Sequence, residues 1–358
     1  MGIFVLLRRT WQTASHIPDN AGTPLLGPTN TGLCVKEKLR LATSGVLLAK
    51  ACYEAGPTGY GLYRAARAAG VEMIVIAPGK TPRGPSDRVK TDKKDAELLA
   101  RLLLAGSLTA VVVPPPEFEA ARDLTRAHDA CRRDLMDARH RVSKLLLRHG
   151  RVYPESSTWT VRHRGWLGRQ QFEQPATELA FLDALACVDA ISARKAALAE
   201  RLSQLALDQR WWPTVARLRC FHGIDTLTAF ALHLELSGDW QRFARAPQLA
   251  AWLGLTPSLS QSGESSRQGH ITKTGSTLAR PLLVEAAWHY ARTPGPGVAL
   301  AARQAGQPAH VLQISHRARQ RLHRTHRKMR SRGKPGNVCV VACARELSCF
   351  LWAAATAD

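Results

Sequence analysis

The hydrophobic positions of this chain change period as it proceeds. Residues 1–44 show little periodicity and many turn formers (Pro18, Asn20, Gly22, Pro24, Gly27, Pro28), so this stretch reads as irregular. Order begins with Val46-Leu47-Leu48-Ala49-Lys50-Ala51-Cys52-Tyr53, a mainly apolar run of strand length ending at Glu54. A turn, Gly56-Pro57-Thr58-Gly59, follows. Leu62, Ala65, Ala66 and Ala69 then recur at helical spacing up to Gly70. Met73 to Ala77 is a second buried-strand candidate, closed by Pro78. Strand, helix and strand within about thirty residues predict a βαβ unit with parallel strands.

A basic loop from Lys80 to Lys90 leads to Thr91-Asp92-Lys93-Lys94-Asp95, which opens a helix through Leu98, Leu99, Leu102 and Leu103. Val111-Val112-Val113 is a short run stopped by three prolines. From Glu117 to about Arg148 the pattern is one long helix, with Leu124, Cys131, Leu135, Val142, Leu145 and Leu146 on one face and mixed charges on the other. Residues 151–176 read as loop. A further helix runs from about Glu178 to Leu207 with a break near Val188, and the two long helices suit an antiparallel hairpin. From Trp211 onward the pattern is mainly helical. The turn at His222-Gly223-Ile224 resembles a helix-hairpin-helix, with Asp225 where a second glycine is usual, so a packing turn and a phosphate-binding turn both stay open. A short helix (Pro247 to Leu253) precedes a loop from Gly254 to Gly275, and Leu278 to Ala291 returns to helix. The expected organisation is an atypical N-terminus (1–44), an α/β domain (45–115), a long-helix connector (116–208) and a mainly α-helical C-terminal domain (209–358).

Charge narrows the partner. Fifty Lys+Arg against 28 Asp+Glu leave a net +22 on 358 residues. A surface of that kind binds polyanions by releasing counterions from phosphates. No acid stands between Glu285 and Glu346, a span that carries Arg317, Arg319, Arg321, Arg324, Arg327, Lys328, Arg330, Arg332 and Lys334. With no acids to balance it, phosphate contact explains this segment better than a solvated charge run does. No stretch approaches the roughly eighteen unbroken apolar residues of a membrane span. Gly2 to Leu7 is too short for a signal-peptide core. The expectation is a cytoplasmic protein with DNA as partner and no membrane. Eight cysteines without a CxxC pair fit a reduced compartment rather than a zinc or disulfide framework.

Glu54 ends a buried strand, the edge at which open α/β sheets present working groups, although a surface acid beginning a loop would look the same. Asp92 and Asp95 share a face at a helix start, where dipole and capping demands alone also favour acids. Together the three could hold Mg²⁺ or Mn²⁺ through hard oxygens and activate a water or hydroxyl at phosphorus. The loop Thr256 to Gly263 is rich in serine, as a flexible connector would be. Its sequel is cationic: Arg267, His270, Lys273 and, beyond Gly275, Arg280. A hydroxyl among cations suits a phosphate-bearing substrate, and His270 is a candidate base by proximity in sequence.

These segments resemble one family, the insertion-sequence 110 class of transposases. The resemblance rests on Tyr53-Glu54-Ala55-Gly56-Pro57-Thr58-Gly59-Tyr60-Gly61, Lys90-Thr91-Asp92-Lys93-Lys94-Asp95-Ala96, Gly254-Leu255-Thr256-Pro257 with Ser262-Gly263, and Gly269-His270-Ile271-Thr272-Lys273-Thr274-Gly275. It continues with Leu282-Leu283-Val284-Glu285-Ala286-Ala287, Ala344-Arg345-Glu346-Leu347 and Phe350-Leu351-Trp352. It implies an N-terminal α/β RNase H-like (RuvC-like) domain whose DEDD acids bind divalent metal, and a C-terminal domain with a catalytic serine. It also implies assembly into a dimer or tetramer and guidance by a structured RNA. Glu54, Asp92 and Asp95 match the second, third and fourth acids, and Ser262 matches the serine, with Ser260 as the alternative. Arg267, His270, Lys273, Arg280, Arg317, Arg321, Arg324 and Arg327 are the nucleic-acid-binding candidates. The family's first acid lies on an initial strand, and no such segment is found before Glu54; the sole earlier aspartate is Asp19. The expectation is therefore a transposase whose recombination is impaired. The rivals are a junction nuclease using the acidic site alone and a non-catalytic basic nucleic-acid-binding protein.

Overall fold

The computed structural model describes residues 5–8, 13–14, 48–81, 91–263, 265–292 and 295–357, without the side chains of residues 5–8, 13–14, 48–49 and 92–93. Asp19, the side chain of Asp92 and most of the basic loop before it lie outside the described residues. The chain divides into two units, Met1–Pro114 and Pro115–Asp358.

The first unit is built on a mixed sheet. Strands β1 (Val5–Arg8), β2 (Thr13–Ala14), β3 (Leu48–Glu54) and β4 (Met73–Ile76) lie in the order β2-β1-β3-β4. β3 and β4 are parallel, as the βαβ pattern predicts, with Cys52 opposite Ile74 and Glu54 opposite Ile76. Helix α1 (Gly61–Ala68) joins them. The reading of residues 1–44 as irregular is corrected at two places: Val5–Arg8 pairs antiparallel with β3, and β2 pairs with β1. Val5-Leu6-Leu7 is a short apolar run, and β3 offers it an edge whose backbone groups would otherwise go unpaired. Alternation along β3 sorts the core into two layers. Ala51 and Tyr53 pack with Ala66 of α1 and with Met73 and Val75, while Cys52 packs with Ile76 and with Leu99, Ala100 and Leu103 of helix α2 (Asp92–Leu104). The valine run after α2 forms no strand of its own; Ala110 makes a single antiparallel bridge to Ile76.

The second unit is helical apart from one hairpin. Helices α3 (Pro116–Arg148) and α5 (Pro175–Leu205) run antiparallel, with Arg141 reaching Cys187 and Ala121 sharing a cluster with Leu202 and Ala206. α5 is continuous through Val188, because that residue faces the α3 core, where Leu135, Ala138 and Val142 also lie. Residues 151–176 hold a short helix, α4 (Val161–Leu167), which the sequence reading missed. Thr160 caps it, accepting from His163 N, and Leu167 is buried in the helical hairpin.

The remaining helices are α6 (Trp212–Leu218), α7 (Thr226–Glu235), α8 (Ala246–Trp252), α9 (Ala279–Trp288), α10 (Val298–Gln304), α11 (Ala309–Ser331) and α12 (Gly336–Thr356). They bury Trp211, Phe221, Phe230, Leu283, Leu322 and Leu347 in one core, which the base of the long hairpin also enters through Ala121 and Ala206. Arg122 fixes that entry by donating to Leu234 O (2.7 Å) and Glu235 O (2.9 Å), carbonyls left open at the end of α7. α12 has 21 residues and is long and apolar enough in composition to cross a membrane. Here Cys339, Val340, Cys343, Ala344, Leu347, Leu351 and Ala354 form its buried stripe in the helical core. The stretch from Gly254 to Gly275, expected to be a loop, contains an antiparallel hairpin of β5 (Pro257–Ser262) and β6 (Ser265–Ile271).

Candidate functional site

In the first unit, chemistry gathers on one side of the sheet. Even-numbered positions of β3 face α2, so Glu54 stands two residues past Cys52 on the face that α2 covers. Asp95 lies one turn before Leu99, on the α2 stripe that packs against Cys52. Both Glu54 and Asp95 are half-buried. Burial, and then the Glu54 charge, push the Cys52 thiol up to about 11, so this cysteine is an inert neighbour of the acid. The N-cap of α2 is Thr91, whose hydroxyl accepts from Lys94 N at 3.3 Å, so Asp95 is not needed for that bond.

In the second unit, the hairpin register sets what each serine meets. Ser262 pairs with Ser265 at the tip, Ser260 pairs with Arg267, and every residue of β5 is exposed. Directly paired residues share a face, so Arg267 is the cation beside Ser260 and stands two pairs from Ser262 on the same face. His270 stands five residues down β6 from Ser265, roughly 16 Å at strand rise. It therefore does not sit beside Ser262, and its candidacy as the base is corrected.

The base of the hairpin is tightly held. Thr272 N and Lys273 N donate to Thr256 O (2.9 Å) and Gly254 O (3.1 Å). A side chain on Gly275 would place its Cβ 2.0 Å from Trp252 O, and one on Gly254 would lie 2.4 Å from Thr274 N and O. Between them Lys273 adopts φ +55°, in the left-handed region. Arg280 braces the same point, donating from Nη1 to Leu253 O (3.0 Å) and Thr274 O (2.8 Å).

The basic segment is α11, and its period separates two faces. Val311, Ser315, Ala318, Leu322 and His326 are buried; Arg317, Arg321, Arg324 and Arg327 are exposed. Those four recur at intervals of four, three and three residues, one cationic stripe about 15 Å long. Gln320, His323, Arg324, Arg327, Lys328 and Ser331 line a concavity of about 540 Å³ on this side. Arg321 is ion-paired, its Nε 2.7 Å from Glu346 Oε2 on α12, and that bond holds it further into its charged form.

The turn at Gly223 packs inward. A Cβ there would lie 2.6 Å from Ala286 Cα, and Asp225 caps α7 by accepting from Thr228 N (2.8 Å). Ser315 and Gln304 donate to Cys220 O nearby. Of the two readings left open for this turn, packing is the one the geometry supports.

Comparison with known proteins places both halves. A family described as Transposase, the DEDD type of this class, matches residues 39–150, and one described as Transposase IS116/IS110/IS902 family matches residues 215–298. A putative transposase, y4qE, of Sinorhizobium fredii is 41% identical over 304 residues, covering 85% of this chain and 74% of the relative. The transposase for insertion sequence element IS1533 of Leptospira borgpetersenii is 35% identical over 288 residues, covering 79% and 82%. The chain belongs to the IS110 family of transposases.

As a DEDD-class transposase it acts on DNA and depends on a divalent metal cation. Glu54 and Asp95 suit such an ion in kind, being hard carboxylate donors on one side of a sheet. Among the described residues no group of three or more His, Cys, Asp or Glu comes close enough to hold a metal. The sequence reading of this transposase overlooked His323, Gln320 and Ser331, which share the α11 concavity, and gave no role to Arg345. Helical spacing from Arg324 and Arg327 would have found the first three.

Proposed function

We propose that this transposase cuts and rejoins DNA through two sites: the acids of an RNase H-like (RuvC-like) N-terminal domain and a nucleophilic Ser262 in the C-terminal domain. Glu54, Asp92 and Asp95 would hold Mg²⁺ or Mn²⁺, which when bound lowers the pKa of a water or hydroxyl and stabilises charge at phosphorus. Ser262 Oγ attacks a phosphodiester phosphorus, the P–O bond to one DNA strand breaks, and that strand leaves as a free hydroxyl carrying a proton. That proton is the one the serine gives up, so the exchange is balanced. Attack by a second strand's hydroxyl on the serine phosphodiester then reverses the bonds and restores the serine. No water or external energy source is consumed.

The observation that carries this reading is the place of Ser262, at the exposed tip of a hairpin that also bears Arg267 and is followed by Lys273. The cationic stripe of α11 supplies sequence-independent phosphate contacts. Nucleic acid, a structured guide RNA and further copies of the chain in a dimer or tetramer complete the proposed assembly, which works in the cytoplasm. A denaturation-resistant protein–DNA adduct should form weakly with the unaltered chain and strongly once residues 1–44 are replaced by a strand bearing an aspartate. It should vanish in Ser262→Ala in either background, while DNA binding is kept. An adduct abolished instead in Ser260→Ala moves the assignment by two residues. Cleavage with no adduct in any variant overturns it and favours hydrolysis at the acidic site alone.

This copy is further proposed to recombine poorly. The strand beside β3 reads Val5-Leu6-Leu7-Arg8 and contributes no carboxylate to the acids of the first unit. Ions held about 3.5–4 Å apart repel, so two-metal binding depends on the number of carboxylates. Strand exchange followed across a Mg²⁺ titration should be weak in this chain and recover when residues 1–44 are replaced by a strand bearing an aspartate. Full exchange by the unaltered chain overturns the proposal.

A further inference from the structure

Three segments far apart in sequence meet at one cavity of about 710 Å³ in the second unit: Leu255 and Pro257, the end of β6 with Lys273, and the first turns of α12. Its size falls within the range of small-molecule sites. Its floor is aliphatic, with Leu255, Val341 and Ala342 offering no polar side chain. Its rim is cationic or imidazole: His270, Lys273 and Arg345. Among the described residues no Asp or Glu lines it. Two exposed amides, Gln268 and Asn337, share that rim.

We propose that this cavity seats one unstacked nucleotide of the bound strand, its base on the aliphatic floor and its phosphate against Lys273 and Arg345. A free phosphate would need the cations without the apolar floor, and an apolar ligand would need the floor without the cations. A nucleotide needs both, and its base edges are the kind of donors and acceptors that Gln268 and Asn337 amides read. Lys273 is held for the task. Its left-handed backbone costs free energy and persists because Gly254 and Gly275 clasp the chain on either side. An outlier so firmly over-determined, with its side chain on a cavity rim, is what a ligand clamp requires.

The proposal rests on the reading of this chain as a strand-processing enzyme, but seating a base needs no serine chemistry. The test is a fluorescence titration of the full chain, and of Ser262→Ala, with two probes. One is a DNA duplex with 2-aminopurine opposite an abasic position; the other is an RNA hairpin with 2-aminopurine in a bulge. Stacking quenches this base, so its seating on an aliphatic floor should raise the emission in both proteins. A rise with DNA alone or RNA alone supports the site and names the source of the nucleotide. The strand with the base should also bind about fivefold or more tighter than the same strand with the base removed, as burial of the base's apolar surface on that floor implies. Ala342→Phe fills the floor and should abolish both effects while probe binding, followed by anisotropy, persists through α11. Should that variant fail to fold, Arg345→Gln, at a side chain 45% exposed, should diminish both effects. Unchanged emission with both probes, or a rise undiminished in these variants, overturns the proposal. Loss of the adduct with an intact emission rise in Ser262→Ala separates failure of one reading from failure of the other.

Discussion

The α11 helix and the β5–β6 hairpin both carry residues suited to a phosphate, and they are held in opposite ways. α11 lays Val311, Ala318 and Leu322 into the helical core and presents its arginines from a fixed surface. The hairpin has no buried face: β5 is exposed throughout and β6 nearly so. A lone two-stranded hairpin is marginal in water, so its shape depends on the clasp at its base and on whatever it binds. In the proposed reaction, rigid charge positions the nucleic acid and an adaptable strand pair brings the serine to it.

Breaking the clasp should have the largest effect. Gly275→Ala puts a Cβ 2.0 Å from Trp252 O at a residue with φ +74°. Left-handed strain and overpacking together should cost about 3 kcal/mol. Amide exchange should show the Thr272 and Lys273 N–H groups losing protection, while those of α11 keep theirs. Equal loss in both regions would mean that the hairpin is part of the core rather than an appendage of it.

Acid should do the reverse and attack the core. His233 of α7 is 3% exposed, and burial lowers its pKa to about 4. Its Nδ1 accepts from Trp240 Nε1 at 3.2 Å, a bond that protonation of that nitrogen removes. The unfolded chain takes up this proton near pH 6.5, the folded one near 4. The stabilisation is therefore complete above about 6.5 and declines as pH falls toward 4, by about 3 kcal/mol in all. Denaturant midpoints should drop over that window, and His233→Gln should flatten the dependence.

The same contrast explains what could be read from the chain. Alternating burial at intervals of three and four makes α3 and α5 visible, since one stripe must be apolar for each to pack, whereas the arginines of α11 mask the same spacing. β3 and β4 are visible as apolar runs because both faces of their sheet are covered, by α1 and α2. The hairpin has no apolar face to alternate with a polar one, so Pro257-Ser258-Leu259-Ser260-Gln261-Ser262 reads as a loop. β1 could not be foreseen, since the four residues Val5-Leu6-Leu7-Arg8 are fixed by the edge of β3 rather than by their own pattern. The cavity at Lys273 was equally hidden: its parts lie about ninety residues apart and meet by packing alone.

At the tip the contrast sharpens. Gly263 has φ +53°, yet nothing lies within 4 Å of a Cβ built there. Gly263→Ala should therefore cost only the left-handed strain, about 1 kcal/mol, and this cost should fall on the hairpin alone. Global denaturation should scarcely register it, whereas adduct formation should slow, because the turn next to Ser262 is biased away from its shape. A global loss as large as that of Gly275→Ala would show the tip to be packed.

The smallest effect separates arginines within α11 itself. Releasing one duplex phosphate from the protein should flatten the salt dependence of binding by about 0.9 log units. Arg324→Gln should approach that figure, since Arg324 is exposed and lines the concavity with Arg327 and Lys328. Arg321→Gln should fall short of it. Its guanidinium already bonds the Glu346 carboxylate at 2.7 Å, and any phosphate must compete with that partner. Glu346→Gln removes the competitor, so it should tighten DNA binding and steepen the salt slope, and Arg321→Gln made in that background should then cost as much as Arg324→Gln. Salt titrations of the four variants give the comparison directly. Equal slopes for Arg321→Gln and Arg324→Gln with Glu346 intact would mean that the ion pair opens freely and that α11 presents four equivalent cations.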